Sequence, residues 1–183
     1  MADNIKIDWL ESIKYDDKKG DIEISGQRHT IVNSNAFMAY RESISQIIGH
    51  GADAVLYLAG KNHTEKFVSI MLKQNAMSGF VKRFKWGKNK IAKKVIEVLN
   101  QYGFGAASIK KMDLDKESII TMKNSCIASC YKKKQKEPVC SYIAGLMAGG
   151  AKAIVGGDYV CIETHCTAMG HKECRFIIKP EKK

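Results

Sequence analysis

From Asn35 to Ile48 the apolar positions Phe37, Tyr40, Ile44, Ile47 and Ile48 return at helical spacing, with Ser34 or Asn35 as the cap and Gly49 ending the run. A second apolar helix is expected over Ala52 to Leu58, broken by Gly60 and Asn62, and a third runs through Phe67, Ile70 and Met71 to about Gln74, closed by Gly79. Between Lys88 and Tyr102, Ile91, Ala92, Val95, Leu99 and Tyr102 share one face while Lys90, Lys93, Lys94 and Glu97 lie opposite, the most amphipathic stretch in the chain. The period then changes. Phe104 to Asp113 and Ser118 to Lys123 read as strands joined by a turn at Asp113-Leu114-Asp115-Lys116. Pro138 suits the first turn of a helix that Val139, Ile143, Leu146 and Met147 continue until Gly149-Gly150. Tyr159 to Glu163 and Arg175 to Lys179 form a closing hairpin around a loop containing Gly170, and residues 21 to 33 hold two short β-prone runs around Gly26. The expected class is α+β, an antiparallel sheet covered by helices on one face, with function expected between the two layers.

A length of 183 residues with 45% apolar content suits one domain with one substantial core. The N-terminus has neither a basic flank nor the apolar stretch of a secretory signal, and apolar runs such as Ala52 to Ala59 end well short of the ~18 residues of a membrane span. A soluble, cytoplasmic protein is expected. The net charge of +11, from 30 Lys and Arg against 19 Asp and Glu, is spread along the whole chain and so reads as a solvated surface. Lys82-Arg83-Phe84-Lys85-Trp86-Gly87-Lys88 interleaves basic and aromatic residues as a nucleic-acid site would. It reads instead as a lysine-rich lead into the following helix.

The chemistry concentrates near the C-terminus. Cysteines 126, 130, 140, 161, 166 and 174 all fall in the last third, a poor pattern for a secreted disulfide framework. Glu163 at a strand end and Cys166 three residues on can turn toward one point, and Cys174 returns to it across the hairpin loop. Cys140, in the first turn of a helix, gains from the macrodipole and free amides that favour a thiolate. Three thiolates and a carboxylate suit zinc better than calcium or magnesium, and four protein ligands leave no open position for catalysis. Spacing alone leaves alternatives open: separately buried cysteines, or Cys161 or His171 competing as ligands. Cys126 and Cys130 lie outside the cluster and read as structural.

The stretches Pro138-Val-Cys140-Ser-Tyr-Ile-Ala-Gly-Leu-Met-Ala-Gly-Gly and Cys161-Ile-Glu163-Thr-His-Cys166-Thr-Ala-Met-Gly-His-Lys-Glu-Cys174-Arg-Phe resemble the C-terminal half of the 4-vinyl reductase domain family. That family includes the aromatic-effector sensing domains of phenol-responsive transcription activators, and its fold is similar to that of TRAPP subunits. The resemblance implies a structural zinc ion on Cys140, Glu163, Cys166 and Cys174, a zinc-bound C-terminal hairpin, and an apolar pocket between helices and sheet for a small hydrophobic ligand. It also implies a homodimer. The domain expectation is accordingly a single domain over 1–183: an N-terminal extension and β-prone dimerisation region over 1–34, a small-molecule-binding domain over 35–180 and a frayed tail over 181–183. Pocket residues do not transfer one by one; Phe80, Phe84, Trp86, Tyr102 and Phe104 lie in the region that could supply them, and read first as core. The functional expectation is a stand-alone ligand-binding or regulatory module that signals to a separate output protein. A reductase acting on a vinyl-bearing or tetrapyrrole-like substrate ranks second, without a GxGxxG nicotinamide fingerprint or any catalytic residue to name, and a nucleic-acid-binding protein ranks third.

Overall fold

Helices and strands alternate in blocks along the chain, as the change of hydrophobic period anticipates. The computed structural model describes residues 13–24, 26–73 and 87–181. The chain divides between Asn33 and Ser34 into two units. In the first, β1 (Ile13–Asp16), β2 (Asp21–Ile24) and β3 (Gln27–His29) form a three-stranded antiparallel sheet in that order. The hairpin around Gly26 is the anticipated one, and Ile22 stands opposite His29. Strand β1 adds an edge that the short, mixed run Ile-Lys-Tyr-Asp does not announce.

The second unit begins with α1 (Asn35–Ile48) and α2 (Ala52–Lys73). Helix α2 is continuous, so the expected break at Gly60 and Asn62 does not occur. The reason is tertiary. A Cβ on Gly60 would lie 2.2 Å from the carbonyl oxygen of Tyr142, so glycine here admits a neighbouring backbone instead of ending a helix. Helix α3 (Lys88–Gln101) follows its predicted bounds closely and buries Ile91, Ala92, Ile96 and Val98. The backbone that meets Gly60 belongs to α4 (Ser141–Val155), which likewise runs through Gly149-Gly150 rather than stopping there. A Cβ on Gly145 would sit 2.0 Å from the carbonyl oxygen of Tyr57, and one on Gly149 would sit 2.0 Å from that of Lys61. The glycines of α2 and α4 therefore interlock at a spacing that any side chain would forbid. Helix α4 ends instead at Gly156, whose φ of 91° is left-handed and whose N–H donates to the carbonyl of Lys152.

Four strands make an antiparallel sheet in the order β4 (Ala106–Lys111), β5 (Ser118–Lys123), β7 (Cys174–Pro180), β6 (Tyr159–His165). Two hairpins, β4–β5 and β6–β7, are joined through the central β5–β7 pair, in which Ile120 stands opposite Phe176 and Met122 opposite Cys174. Ile120, Met122, Cys161, Phe176 and Ile178 enter one core with Ile143, Ala144, Met147 and Ala151 of α4. Ile162, one position along β6 from Cys161, is exposed. The expected mixed architecture of helices on an antiparallel sheet is thus present. No helix among the described residues is long and apolar enough to cross a membrane.

Candidate metal centre

Helix α4 starts later than its sequence suggests. Pro138 and Val139 precede it and Cys140 is its N-cap, with φ −93° and ψ 33°. This geometry frees the Cys140 N–H from the helix, and it donates to Glu163 Oε2 at 2.9 Å. Glu163 stands near the end of β6, just before the register shift that separates it from His165. The irregularity bends the strand end, and Cys166 follows in extended backbone at φ −135°. A 3-10 turn over Thr167–Met169 then reverses the chain, with the N–H groups of Met169 and His171 donating to the Cys166 carbonyl at 3.0 and 3.3 Å. Gly170, left-handed at φ 92°, completes the reversal. Cys174 opens β7 and returns to the same point.

The outcome is a four-residue group. One ligand atom from each of Cys140, Glu163, Cys166 and Cys174 lies within 4.8 Å of every other, and the three cysteines are fully buried. Cys140 Sγ and Cys174 Sγ are 3.9 Å apart. Tetrahedral coordination with metal–sulfur bonds of about 2.3 Å puts sulfurs about 3.8 Å apart, so the spacing suits a metal. Neither Cys161 nor His171 belongs to the group. Cys161 is buried on the same strand as Glu163, its N–H donating to Tyr57 Oη at 3.0 Å. His171 places Nδ1 3.3 Å from the N–H and 3.1 Å from the carbonyl of Cys166, where it braces the loop. None of the six cysteines forms a disulfide.

The electrostatics of the cluster favour a cation. Burial, then the Cys166 sulfur, pushes the Glu163 carboxyl up to about 8. Cys166 sits well below the usual thiol range because Cys140, then Cys174, donates to it. Cys140 is raised, chiefly by that same bond to Cys166. At Cys174 the Cys140 contact works downward, but Cys166 and burial outweigh it and leave the thiol raised. By itself the cluster therefore concentrates one negative charge and keeps protons on its other members. Glu163 Oε1 is buried without a partner in hydrogen-bond geometry, its neighbours being the sulfurs of Cys140 and Cys166. A divalent cation satisfies that oxygen and offsets the crowded sulfurs, so this donor set can hold a metal ion.

Two polar contacts around the sulfurs carry no sequence signal of their own. Ser125 Oγ lies 3.3 Å from Cys140 Sγ, and the Thr167 N–H donates to Cys174 Sγ at 3.4 Å. Thr167 follows a candidate ligand into a turn and is traceable by that position; Ser125 comes from just beyond β5, and only the fold brings it in.

Away from the cluster, a cavity of about 40 Å³ lies among α2, α3, α4 and the sheet, lined by Leu99, Met112, Met147, Ile154 and Ile178 with Thr64 as its one polar side chain. Tyr102 and Phe104 do not line it. Tyr102 packs on Phe67 at 5.8 Å between ring centroids, and Phe104 packs on Phe37 and Tyr142 at 6.1 and 6.4 Å, as core aromatics do. Phe80, Phe84 and Trp86, and the basic stretch from Lys82 to Trp86, lie outside the described residues.

Comparison with known proteins narrows the reading. The family model of the 4-vinyl reductase domain matches residues 118–180, from the start of β5 to the end of β7, and so spans all four cluster residues. The uncharacterized protein MJ0150 of Methanocaldococcus jannaschii is 25% identical over 136 residues, 74% of this chain and 69% of that protein. Among solved structures, the phenol-responsive sensory domain of the transcription activator PoxR, crystallised with phenol, superposes with a TM-score of 0.80 at 18% identity, covering 94% of this chain and 86% of that one. A vinyl-4-reductase family protein from Methanocaldococcus jannaschii superposes with a TM-score of 0.55 at 18% identity over 84% of this chain and 85% of that one. At these identities the likeness to the two structures is one of fold.

Proposed function

Since the chain carries a 4-vinyl reductase domain over residues 118–180, we propose that it is a ligand-binding or regulatory domain with a structural zinc ion on Cys140, Glu163, Cys166 and Cys174 and an apolar site for a small hydrophobic molecule. The observation that carries this reading is that one helix serves both places. Cys140 caps α4 at the cluster, while Met147, Ala151 and Ile154 of the same helix line the apolar cavity. Zinc bound there would act as a crosslink among α4, β6 and β7, because four protein ligands leave no open position for a substrate. The fold shared with a phenol-responsive sensory domain supports a small-molecule ligand and a separate output protein that responds to it.

The cavity is small. Benzene occupies an engineered apolar cavity of about 150 Å³, so an aromatic of that size would have to displace flexible lining side chains such as Met112 and Met147. Residues 34–181 would then form the small-molecule-binding part, and residues before them an association region through which two chains pair. The edge strands β1 and β3 of the N-terminal sheet support that role, since unpaired edges are association surfaces. Six cysteines without a disulfide fit a reducing cytoplasm.

Native mass spectrometry of the chain purified without chelator tests the reading, with about one zinc ion per chain and a dimeric mass expected. A screen of small aromatic and aliphatic compounds should raise the melting temperature with some of them, as binding to the native state requires. A metal-free chain whose melting temperature responds to neither zinc nor any compound overturns the reading.

A further inference from the structure

The N-terminus of α4 is held from two sides. On one side Cys140 faces the cluster. On the other, the next residue, Ser141, donates its hydroxyl to Asp53 Oδ1 at 2.8 Å. Asp53 lies in the first turn of α2, where the helix dipole favours a carboxylate, and a guanidinium from α1 fixes its orientation. Arg41 Nε donates to Asp53 Oδ1 at 2.9 Å and Arg41 Nη2 donates to Oδ2 at 2.8 Å, a two-pronged pair on largely buried side chains. Both carboxylate oxygens are thus committed, and the serine hydroxyl meets an acceptor that cannot turn away. Three helices converge on this carboxylate at one residue's remove from a cluster sulfur.

We propose that Asp53, fixed by Arg41, is a positioning residue for the metal site: through Ser141 it sets the N-cap conformation that aims Cys140 Sγ at the other ligands. Cys140 has two demands on its backbone, since its N–H must reach Glu163 Oε2 while its side chain reaches the sulfurs. A helix N-terminus without an outside anchor would fray and let both drift. The anchor links metal affinity to the packing of α1 and α2, neither of which supplies a ligand. Metal occupancy in turn tightens the same junction, because coupling between two equilibria is reciprocal. The inference rests on the metal reading of the cluster.

The test is cobalt(II) and zinc binding by the full chain, with affinity read by competition against a chromophoric chelator and ligand geometry by the thiolate charge-transfer and d–d absorption of the cobalt form. Ser141→Ala and Asp53→Asn are each expected to weaken metal binding by about 10-fold or more and to alter the cobalt d–d bands, in the range seen when outer hydrogen bonds to ligands are lost. Ser141→Thr, which keeps the hydroxyl, should restore both readouts. Ser141→Ala removes one oxygen and leaves the Arg41–Asp53 pair in place, so it tests the link even if Asp53→Asn fails to fold. Wild-type affinity and an unchanged cobalt spectrum in folded Ser141→Ala overturn the positioning role while leaving the metal site standing. A wild-type chain that binds neither ion overturns both.

Discussion

The two halves of α4 are held by different physics. Its first turn is tied by chemistry: a cysteine cap in a sulfur and carboxylate cluster, and a serine on a largely buried ion pair. Its middle is tied by shape, with Gly145 and Gly149 letting the carbonyls of Tyr57 and Lys61 approach to where a Cβ would stand. The first kind of contact depends on what is bound and on protonation. The second depends on neither, since it is backbone against backbone among apolar side chains. A domain that must register a change without unfolding gains from this division, for one end of the helix can respond while its body stays in register.

Metal removal should separate the halves most widely. Structural zinc sites supply about 10 kcal/mol or more of apparent binding free energy, which at such sites is folding free energy. Chelation, or Cys166→Ser, is therefore expected to remove the metal and lower and broaden the melting transition together. Hydrogen exchange followed by mass spectrometry should locate the loss, with protection falling at 140–143 and 163–174 well before it falls at 145–151. Equal loss along the whole of α4 would show that the two halves are one cooperative unit. Acid should act in the same direction as chelator, because Glu163 and the raised thiols of Cys140 and Cys174 take up protons that a cation displaces.

Next in size is Gly149→Ala. The new methyl would lie 2.0 Å from the Lys61 carbonyl oxygen, and a backbone atom cannot step aside as a side chain does. Alanine favours helix by about 1 kcal/mol over glycine, but forcing α2 and α4 apart costs about 3 kcal/mol or more, so the steric effect wins. Urea unfolding should show that loss to the same extent with zinc saturating, and zinc affinity should stay close to wild type. A Gly149→Ala chain that folds normally but loses zinc would mean that the helix body also aims Cys140.

The same division explains which features are legible in the sequence. Helix α3 and the β6–β7 hairpin follow from local periodicity, and the predicted quartet Cys140, Glu163, Cys166 and Cys174 is the set that the fold brings together. Most of that cluster comes from one short hairpin, so sequence spacing approximates spatial spacing. Gly60 and Gly149-Gly150 mislead because a glycine that ends a helix and a glycine that admits another helix look alike in one sequence; only the partner backbone tells them apart. The same limit hides Asp53, which meets Ser141 across 88 positions and has no periodic signature. Cys140 stands one step outside the helix rather than in its first turn, and that step matters, because as the N-cap it has a free N–H for Glu163.

The smallest expected effect lies at the far end of α4, where Gly156 closes the helix in the left-handed region at φ 91° with no atom within 4 Å of where a Cβ would stand. Space is therefore not the issue in Gly156→Ala. The cost is backbone strain, since an L-residue enters this region at about 1 kcal/mol or more above glycine. Because the N–H of residue 156 still finds the Lys152 carbonyl, the helix should end where it does now. The expected outcome is a loss of about 1 kcal/mol in urea unfolding, the same with and without a zinc-binding competitor at sub-saturating levels, and an unchanged cobalt spectrum. A larger loss in the metal-depleted sample would show that strain at the C-terminal end reaches Cys140 along the helix, and the body of α4 would then be a transmitter rather than a fixed frame.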